Sequence, residues 1–472
     1  MDAADGKPNS ARLGIADTRW DPVPSSPDSF DVVFASDPAF PVADVTCQVE
    51  PAGQLIREPR AWFRKRTPAY RPLFPHVSVS GRSVIPFWVT PRGRTVIGWL
   101  GESRRRLLVG LNVVEELIRY TQGDPGKLAS SADRTLWGYG NERSTFLYED
   151  HIVPGFELVP WADQLGYAIA HLIAAGSGLP LLCPLPNGKA GGILVTGDDD
   201  QAFLEKYDEQ LRLLDGFPIT YLLLPTTGQT AKTLTKLPKS VELGVHIDAL
   251  ACPERYDTVC NEQTAAIRAL TGKPIRTVRN HGHLNRDYWG HLPAWEQARL
   301  SLDLNNRGLD GTCPTGSYLP FQVRRGDGSW SSHMSLFSTF SDSMLYLQKW
   351  PQKKQIRCIR GLAGQIERSF PGVMVFNFHP QNVSDGYEVH RAVMEIGRRR
   401  DWVALGAESY AAWLLATATL RMTVRSGCVA LEAPDNIHQL AVYWPSLPGS
   451  PKQLLSKWDG VIELRPPSQI VV

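Results

Sequence analysis

The sequence predicts an α/β protein whose central part is a (β/α) barrel, preceded by a small α/β domain and followed by a short β-rich region. Two observations carry this. From Gly191 to about residue 420, strand-length apolar runs alternate with amphipathic helical stretches. Polar side chains able to do chemistry follow five of those runs, as at the C-terminal face of a parallel barrel.

Taken in order, residues 1–29 are polar and rich in Asp, Ser and Pro. They lack the basic start and apolar core of an export signal, and a disordered leader is expected. Residues 30–188 read as the first α/β domain. Strands are expected near 31–35, 82–90 and 95–100. Leu107, Leu108, Leu111, Val114, Leu117 and Ile118 recur at helical spacing and predict a helix over 104–122; another is expected over 161–175. No phosphate-binding glycine loop follows any of these strands, so a structural or substrate-positioning role is expected for this region. Residues 189–420 form the barrel series, with strands near 192–196, 219–224, 241–245, 275–278, 302–304, 373–378 and 402–405 and helices near 202–214, 261–270, 295–302, 387–399 and 408–420. Gly272-Lys273-Pro274 marks a helix stop. Residues 421–472 carry short alternating runs broken by Pro, Gly, Asn and Asp, the pattern of a small β-rich region.

Composition removes several classes of function. A net charge of +2 over 472 residues gives no bulk electrostatic attraction to nucleic acid or to an anionic membrane. No apolar run approaches the ~20 residues that span a bilayer. The seven cysteines are odd in number and form no CxxC pair, which suits reduced thiols and a cytoplasmic setting. A soluble small molecule is then the expected partner, and the oligomeric state is left open.

The side chains at the strand ends point to hydrolysis. The first barrel strand ends in Asp198, Asp199 and Asp200, three like charges that repel unless a cation, an arginine or water relieves them. His246 and Asp248 follow the third strand; Arg279, His281 and His283 surround the end of the fourth; Asp303 lies at the fifth, and His379 follows the run at 373–378. One carboxylate and two imidazoles can hold zinc and leave a coordination position open. A second carboxylate, held ionised by an arginine, can act as base, and a further histidine can protonate a leaving amine.

These segments resemble the successive motifs of the polysaccharide deacetylase (NodB-homology) carbohydrate esterases: Thr196-Gly197-Asp198-Asp199-Asp200, Glu242-Leu243-Gly244-Val245-His246, Val278-Arg279-Asn280-His281 and Asn377-Phe378-His379-Pro380. The stretches around Asp303 and Gly316-Ser317-Tyr318-Leu319-Pro320-Phe321 resemble a branch in which an α/β region precedes the barrel. The resemblance runs from Gly191 to Tyr410. It implies a distorted barrel, usually of seven strands, and a divalent metal, zinc above all, held by Asp-His-His. It also implies removal of an N-acetyl or O-acetyl group from a sugar. Carried over by position, Asp198 is the expected base, Arg279 the residue that orients it, His379 the acid, and Asp303 a further catalytic candidate. Asp200 or Asp199 and His246 are expected on the metal. Tyr318 is expected near the oxyanion, and Trp289 against substrate. One departure stands out. The family's second metal histidine, one helical turn after the first, is Leu250 here, and His281 or His283 is the expected replacement.

Two other readings compete. Asp198 and Asp200 form the Asp-x-Asp of magnesium-dependent phosphatases and of glycosyltransferases, which require no histidines at 246, 281 and 379. A decayed barrel that binds carbohydrate without cleaving it would explain Leu250, and several of the fourteen tryptophans (Trp289, Trp295 and Trp330 among them) could stack on sugar.

Overall fold

The computed structural model describes residues 31–34, 46–57, 69–101, 106–129, 142–177, 179–200, 204–285, 287–308, 311–368, 370–425, 428–443 and 453–464. The expectation for the leader therefore lies outside the described residues. The chain divides into two compact units that do not follow the sequence in simple blocks. One comprises Met1–Glu116, Gln164–Gly188 and Trp413–Val472; the other comprises Leu117–Asp163 and Lys189–Ala412.

The first unit holds two sheets. Six strands (Asp31–Phe34, Thr46–Glu50, His76–Ser80, Val84–Val89, Thr95–Leu100 and Arg106–Val109) form a mostly antiparallel sheet, in which only the first and last of these pair in parallel. Leu181–Leu182 joins Arg421–Arg425, Cys428–Tyr443 and Gln453–Leu464 in an antiparallel four-stranded sheet. Here one expectation is corrected. The predicted helix over 104–122 begins only at Val113, and Arg106–Val109 is a strand paired with Thr95–Leu100. Leu107, Leu108 and Val109 are all buried, as in a strand covered on both faces, and a run this short fits either period. Gly110 then passes so close to the Val77 carbonyl oxygen that a Cβ there would lie 1.9 Å from it.

The second unit is the predicted barrel-like α/β series. Its strands are β1 (Gly191–Asp198), β2 (Ile219–Leu223), β3 (Val241–Ile247), β4 (Thr277–Asn280), β5 (Leu302–Asp303), β6 (Phe321–Arg324), β7 (Trp330–Ser335), β8 (Phe340–Ser341), β9 (Gly372–Asn377) and β10 (Trp402–Leu405). They run in the order β6-β7-β5-β4-β3-β2-β1-β9-β8, with β10 also against β1. Every neighbouring pair is parallel except β6 with β7. Among the described residues the sheet has ten strands. Helices α1 (Leu204–Leu214), α2 (Tyr256–Thr271), α3 (Gln352–Arg368), α4 (Tyr387–Gly397) and α5 (Ala407–Ala418) alternate with them.

Alternation along each strand sorts the residues. Ile193, Val195, Tyr221, Leu223, Val245, Ile247, Val278, Met374 and Phe376 face outward into one apolar cluster with Leu214, Ile267, Val393 and Ile396 of the helices. Thr196, Asp198, His246, Arg279 and Asn377 fall on the other face, and all are buried. That inner face is strongly curled. Arg279 on β4 bonds Asp198 on β1 at 2.6 Å, although three strand spacings of about 4.8 Å separate those strands in a flat sheet. At the opposite, N-terminal end of the strands, the first amides of α5 are capped by Thr220 (2.8 Å from Ala407 N) and by the Glu242 carboxylate (2.7 Å from Glu408 N). Among the described residues no helix is long and apolar enough to cross a membrane.

Candidate active site at the strand ends

The acidic run is parted by the strand period. Asp198 turns inward, Asp199 outward and Asp200 inward again. Asp199 is buried and lies under the influence of the Thr227 and Tyr207 hydroxyls on the outer side; burial raises its carboxyl pKa. The structure does not bring it to the histidines. Gly197 is required by the same crowding, since a Cβ there would come within 2.9 Å of the Tyr221 ring and 3.0 Å of the Phe378 carbonyl oxygen.

Asp198 is held from two sides. Arg279 Nη1 donates to Oδ1 at 2.6 Å, and Asn377 Nδ2 donates to Oδ2 at 2.7 Å. The guanidinium is itself fixed by Thr196 Oγ1, Ser338 Oγ and the Leu304 carbonyl. Burial works against a charge on Asp198, but Arg279 and then His246 and His379 outweigh it and hold the carboxyl well below its ordinary range. It is an ionised, oriented carboxylate.

Asp200, His246 and His281 converge. One ligand atom from each lies within 4.8 Å of the others. Asp200 Oδ1 is 3.3 Å from His246 Nε2 and 3.7 Å from His281 Nε2. Bonds of about 2.0–2.1 Å at a tetrahedral angle put two ligand atoms about 3.3 Å apart, so the spacing fits a zinc ion. The protonation pattern fits as well. His246 Nδ1 lies 3.1 Å from the Arg279 carbonyl, an acceptor that holds a proton on Nδ1, so Nε2 is the nitrogen offered to a cation. Burial opposes a charge on the ring, but Asp198 and then Asp200 raise its pKa, a pull that would equally hold a cation there. Neither that Nε2 nor Asp200 Oδ1 has a hydrogen-bond partner, although both are buried. Unpaired buried polar atoms are costly, and a cation between them would remove the cost.

The Asn280–His283 turn decides which histidine joins. Gly282 and His283 have φ of 61° and 55°, so the chain turns in two successive left-handed steps. His281 therefore stays beside Asp200, while His283 is carried away and sets its Nδ1 2.9 Å from the Asn305 carbonyl. Burial, then the charges of Arg307, Arg279 and Arg143, push the His283 pKa well down, leaving a neutral ring outside the cluster.

On the other side of Asp200 stands His379, its Nε2 3.4 Å from Asp200 Oδ2 and 3.8 Å from Asp198 Oδ2. Its Nδ1 meets Asp342 Oδ1 at 2.7 Å, and its backbone N–H donates to Asp342 Oδ2 at 2.8 Å. Asn382 Nδ2 also donates to that carboxylate. Burial disfavours a charge on His379, but Asp342 first, then Asp200 and Asp198, bring its pKa up to about 9. Asp342 went unnoticed in the sequence because the strand before it is only the two residues Phe340 and Ser341. The one available signal was its place two residues after the apolar Phe340 in a Ser/Thr-rich stretch.

Three expected residues lie elsewhere. Asp303 is fully buried against His333, with Oδ2 2.9 Å from Nε2, and its Oδ1 accepts from Asn305 N. Tyr318 is a core residue. Its hydroxyl donates to the Leu158 carbonyl, and it packs at Gly372 and Val373, the first residues of β9. The site lies after the last residue of that strand, about 17 Å away at ~3.3 Å per residue. The oxyanion expectation for Tyr318 is thereby corrected. Trp289 is half-buried, its indole N–H on the Gln122 carbonyl and its ring edge-on to Phe321, with no contact to the cluster.

No family model matches the chain, and no curated protein matches it. Among solved structures it is similar to a candidate polysaccharide deacetylase from Mycobacterium smegmatis, at 16% identity and a TM-score of 0.39, over 51% of this chain and 96% of that one. It is also similar to a candidate polysaccharide deacetylase involved in O-antigen biosynthesis from Bordetella bronchiseptica (20% identity, TM-score 0.32, 49% and 93% covered). A third is a CE4 family pseudoenzyme from Bacillus anthracis (9% identity, TM-score 0.30, 46% and 64% covered). The overlaps are partial.

Proposed function

We propose that the protein is a metal-dependent hydrolase that removes an acyl group, N-acetyl in the first instance, from a sugar or sugar-containing metabolite. The observation that carries this is the convergence of Asp200, His246 and His281 between two tuned groups, the Arg279-held Asp198 and the Asp342-held His379. A divalent cation held by Asp200 Oδ1 and the Nε2 atoms of His246 and His281 would supply Lewis acidity to water and to the substrate carbonyl. Asp198, ionised and fixed by Arg279, takes the proton of the attacking water. His379 carries a proton on Nε2, facing the same space, and gives it to the leaving nitrogen. Arg279 keeps Asp198 oriented throughout. The acid and the base thus have separate environments that push their pKa values apart, as the two roles require.

The test is metal content with activity. The purified chain is expected to bind one equivalent of zinc and to release acetate from N-acetylated sugars. His246→Ala is expected to lose the metal. Asp198→Asn is expected to keep the metal and lose about 10²–10⁴-fold in kcat. A chain that binds no divalent metal, or an Asp198→Asn variant as fast as the wild type, overturns the reading.

A further inference from the structure

We infer that Asp248 is a positioning residue that orients His281 for metal binding, so that Asp248 and His281 together replace the ligand missing at Leu250; this rests on the metal reading above. The two imidazoles beside Asp200 are held differently. His246 is fixed through Nδ1 by a backbone carbonyl. His281 has its Nδ1 3.3 Å from Asp248 Oδ1, off the axis of a hydrogen bond and with no other partner. Its Nε2 is the atom that faces Asp200.

Asp248 is built to hold that place. Its backbone is clamped on both sides by one side chain: Gln263 Oε1 accepts from Asp248 N at 2.8 Å, and Gln263 Nε2 donates to Asp248 O at 2.9 Å. Its Oδ1 accepts from the Leu250 N–H at 3.3 Å. The residue that stands where a metal histidine was expected thus supplies an amide that steadies the carboxylate behind the substitute histidine. A carboxylate facing Nδ1 holds the proton there and leaves the Nε2 lone pair for the metal. Loss of such a partner weakens metal affinity by about 10- to 100-fold.

The side chain of Asp248 is 42% exposed, so its removal leaves no buried cavity. The experiment uses the full chain stripped of metal by a chelator, titrated with zinc against a competing indicator and with cobalt for its visible spectrum. Asp248→Ala is expected to bind zinc about 10- to 100-fold more weakly than wild type and to shift the cobalt spectrum, with the melting temperature of the metal-free chain unchanged. Asp248→Asn, which keeps an acceptor oxygen, is expected to fall between the two. Adding Asp248→Ala to His281→Ala is expected to cost nothing further, because the carboxylate acts through that ring. Wild-type zinc affinity in Asp248→Ala, or additive losses in the double variant, overturns the inference while leaving the metal site standing. A wild-type chain without zinc overturns both.

Discussion

His333 and His379 each face a carboxylate, Asp303 at 2.9 Å and Asp342 at 2.7 Å, and they differ in what the other ring nitrogen meets. His333 Nδ1 meets the Leu300 carbonyl at 2.8 Å, so both of its nitrogens are engaged, and neither side chain of the pair reaches solvent. His379 Nε2 instead looks across 3.4–3.8 Å at Asp200 and Asp198, and its side chain is 15% exposed. The same two residue types leave no ring nitrogen free in one place and, in the other, one that faces Asp198 and Asp200. What separates the two pairs is the nitrogen left unspent, not the Asp–His contact itself. Asp303 was expected to be catalytic because it sits at a strand end; its partner's second hydrogen bond closes it.

The largest effects should separate the two pairs cleanly. His379→Ala is expected to lower kcat by about 10²–10⁴-fold with zinc still bound and the denaturation midpoint little changed. His333→Leu should do the reverse. It strands a buried carboxylate and is expected to cost about 3–5 kcal/mol in urea denaturation, with kcat of the folded protein near wild type. The comparison breaks if His333→Leu loses activity without losing stability.

A third histidine extends the series to a ring with no carboxylate. In the first unit His171 is buried; its Nδ1 donates to the Tyr167 carbonyl at 2.8 Å and its Nε2 accepts from the Tyr443 hydroxyl at 2.7 Å. Burial, opposed only by the bond to Tyr167, takes its pKa from 6.5 down to about 4. Between those values the unfolded chain binds the proton and the folded chain does not. The His171 contribution to stability is therefore full above about pH 6.5, falls as the pH drops, and levels off below about 4. The shift corresponds to about 3 kcal/mol. Denaturation measured from pH 7 to 4 should show this slope in wild type and lose it in His171→Gln. An unchanged slope would mean that the ring is already charged in the fold.

The fold class and the strand-end residues were legible because both depend on local pattern. Apolar runs at two periods mark the βα series, and Asp198, Asp200, His246, Arg279 and His379 lie at or just after the C-terminal ends of its strands. What could not be read depends on contacts between distant segments. Asp342 follows a two-residue strand with no readable pattern. The choice between Asp199 and Asp200 turned on which face of β1 each occupies. The choice between His281 and His283 turned on two left-handed residues. Tyr318 and Trp289 could not be told from core and anchoring aromatics, because a buried and a substrate-facing aromatic in a loop look alike in sequence. The first unit gathers three separated segments, a division that no linear boundary could show.

The smallest effect bears most directly on why the open pair is open. Asp342→Asn keeps an oxygen for His379 Nδ1 but removes the charge that contributes most to raising that ring's pKa. Without it, burial wins back part of the shift, and the pKa falls from about 9. A general acid must be protonated when the bond breaks, so activity is lost as pH rises past its pKa, and a lower pKa moves that loss to lower pH. The alkaline limb of the kcat profile should therefore shift down in Asp342→Asn, with a fall of about tenfold at neutral pH, roughly 1.4 kcal/mol. The substitution also turns an amide nitrogen toward the donors His379 N and Asn382 Nδ2, which accept nothing. That costs some order, and order alone would lower the whole profile without moving its limb. A profile lowered but not shifted would therefore assign Asp342 to holding the ring in place, and the charge to no part in its acidity.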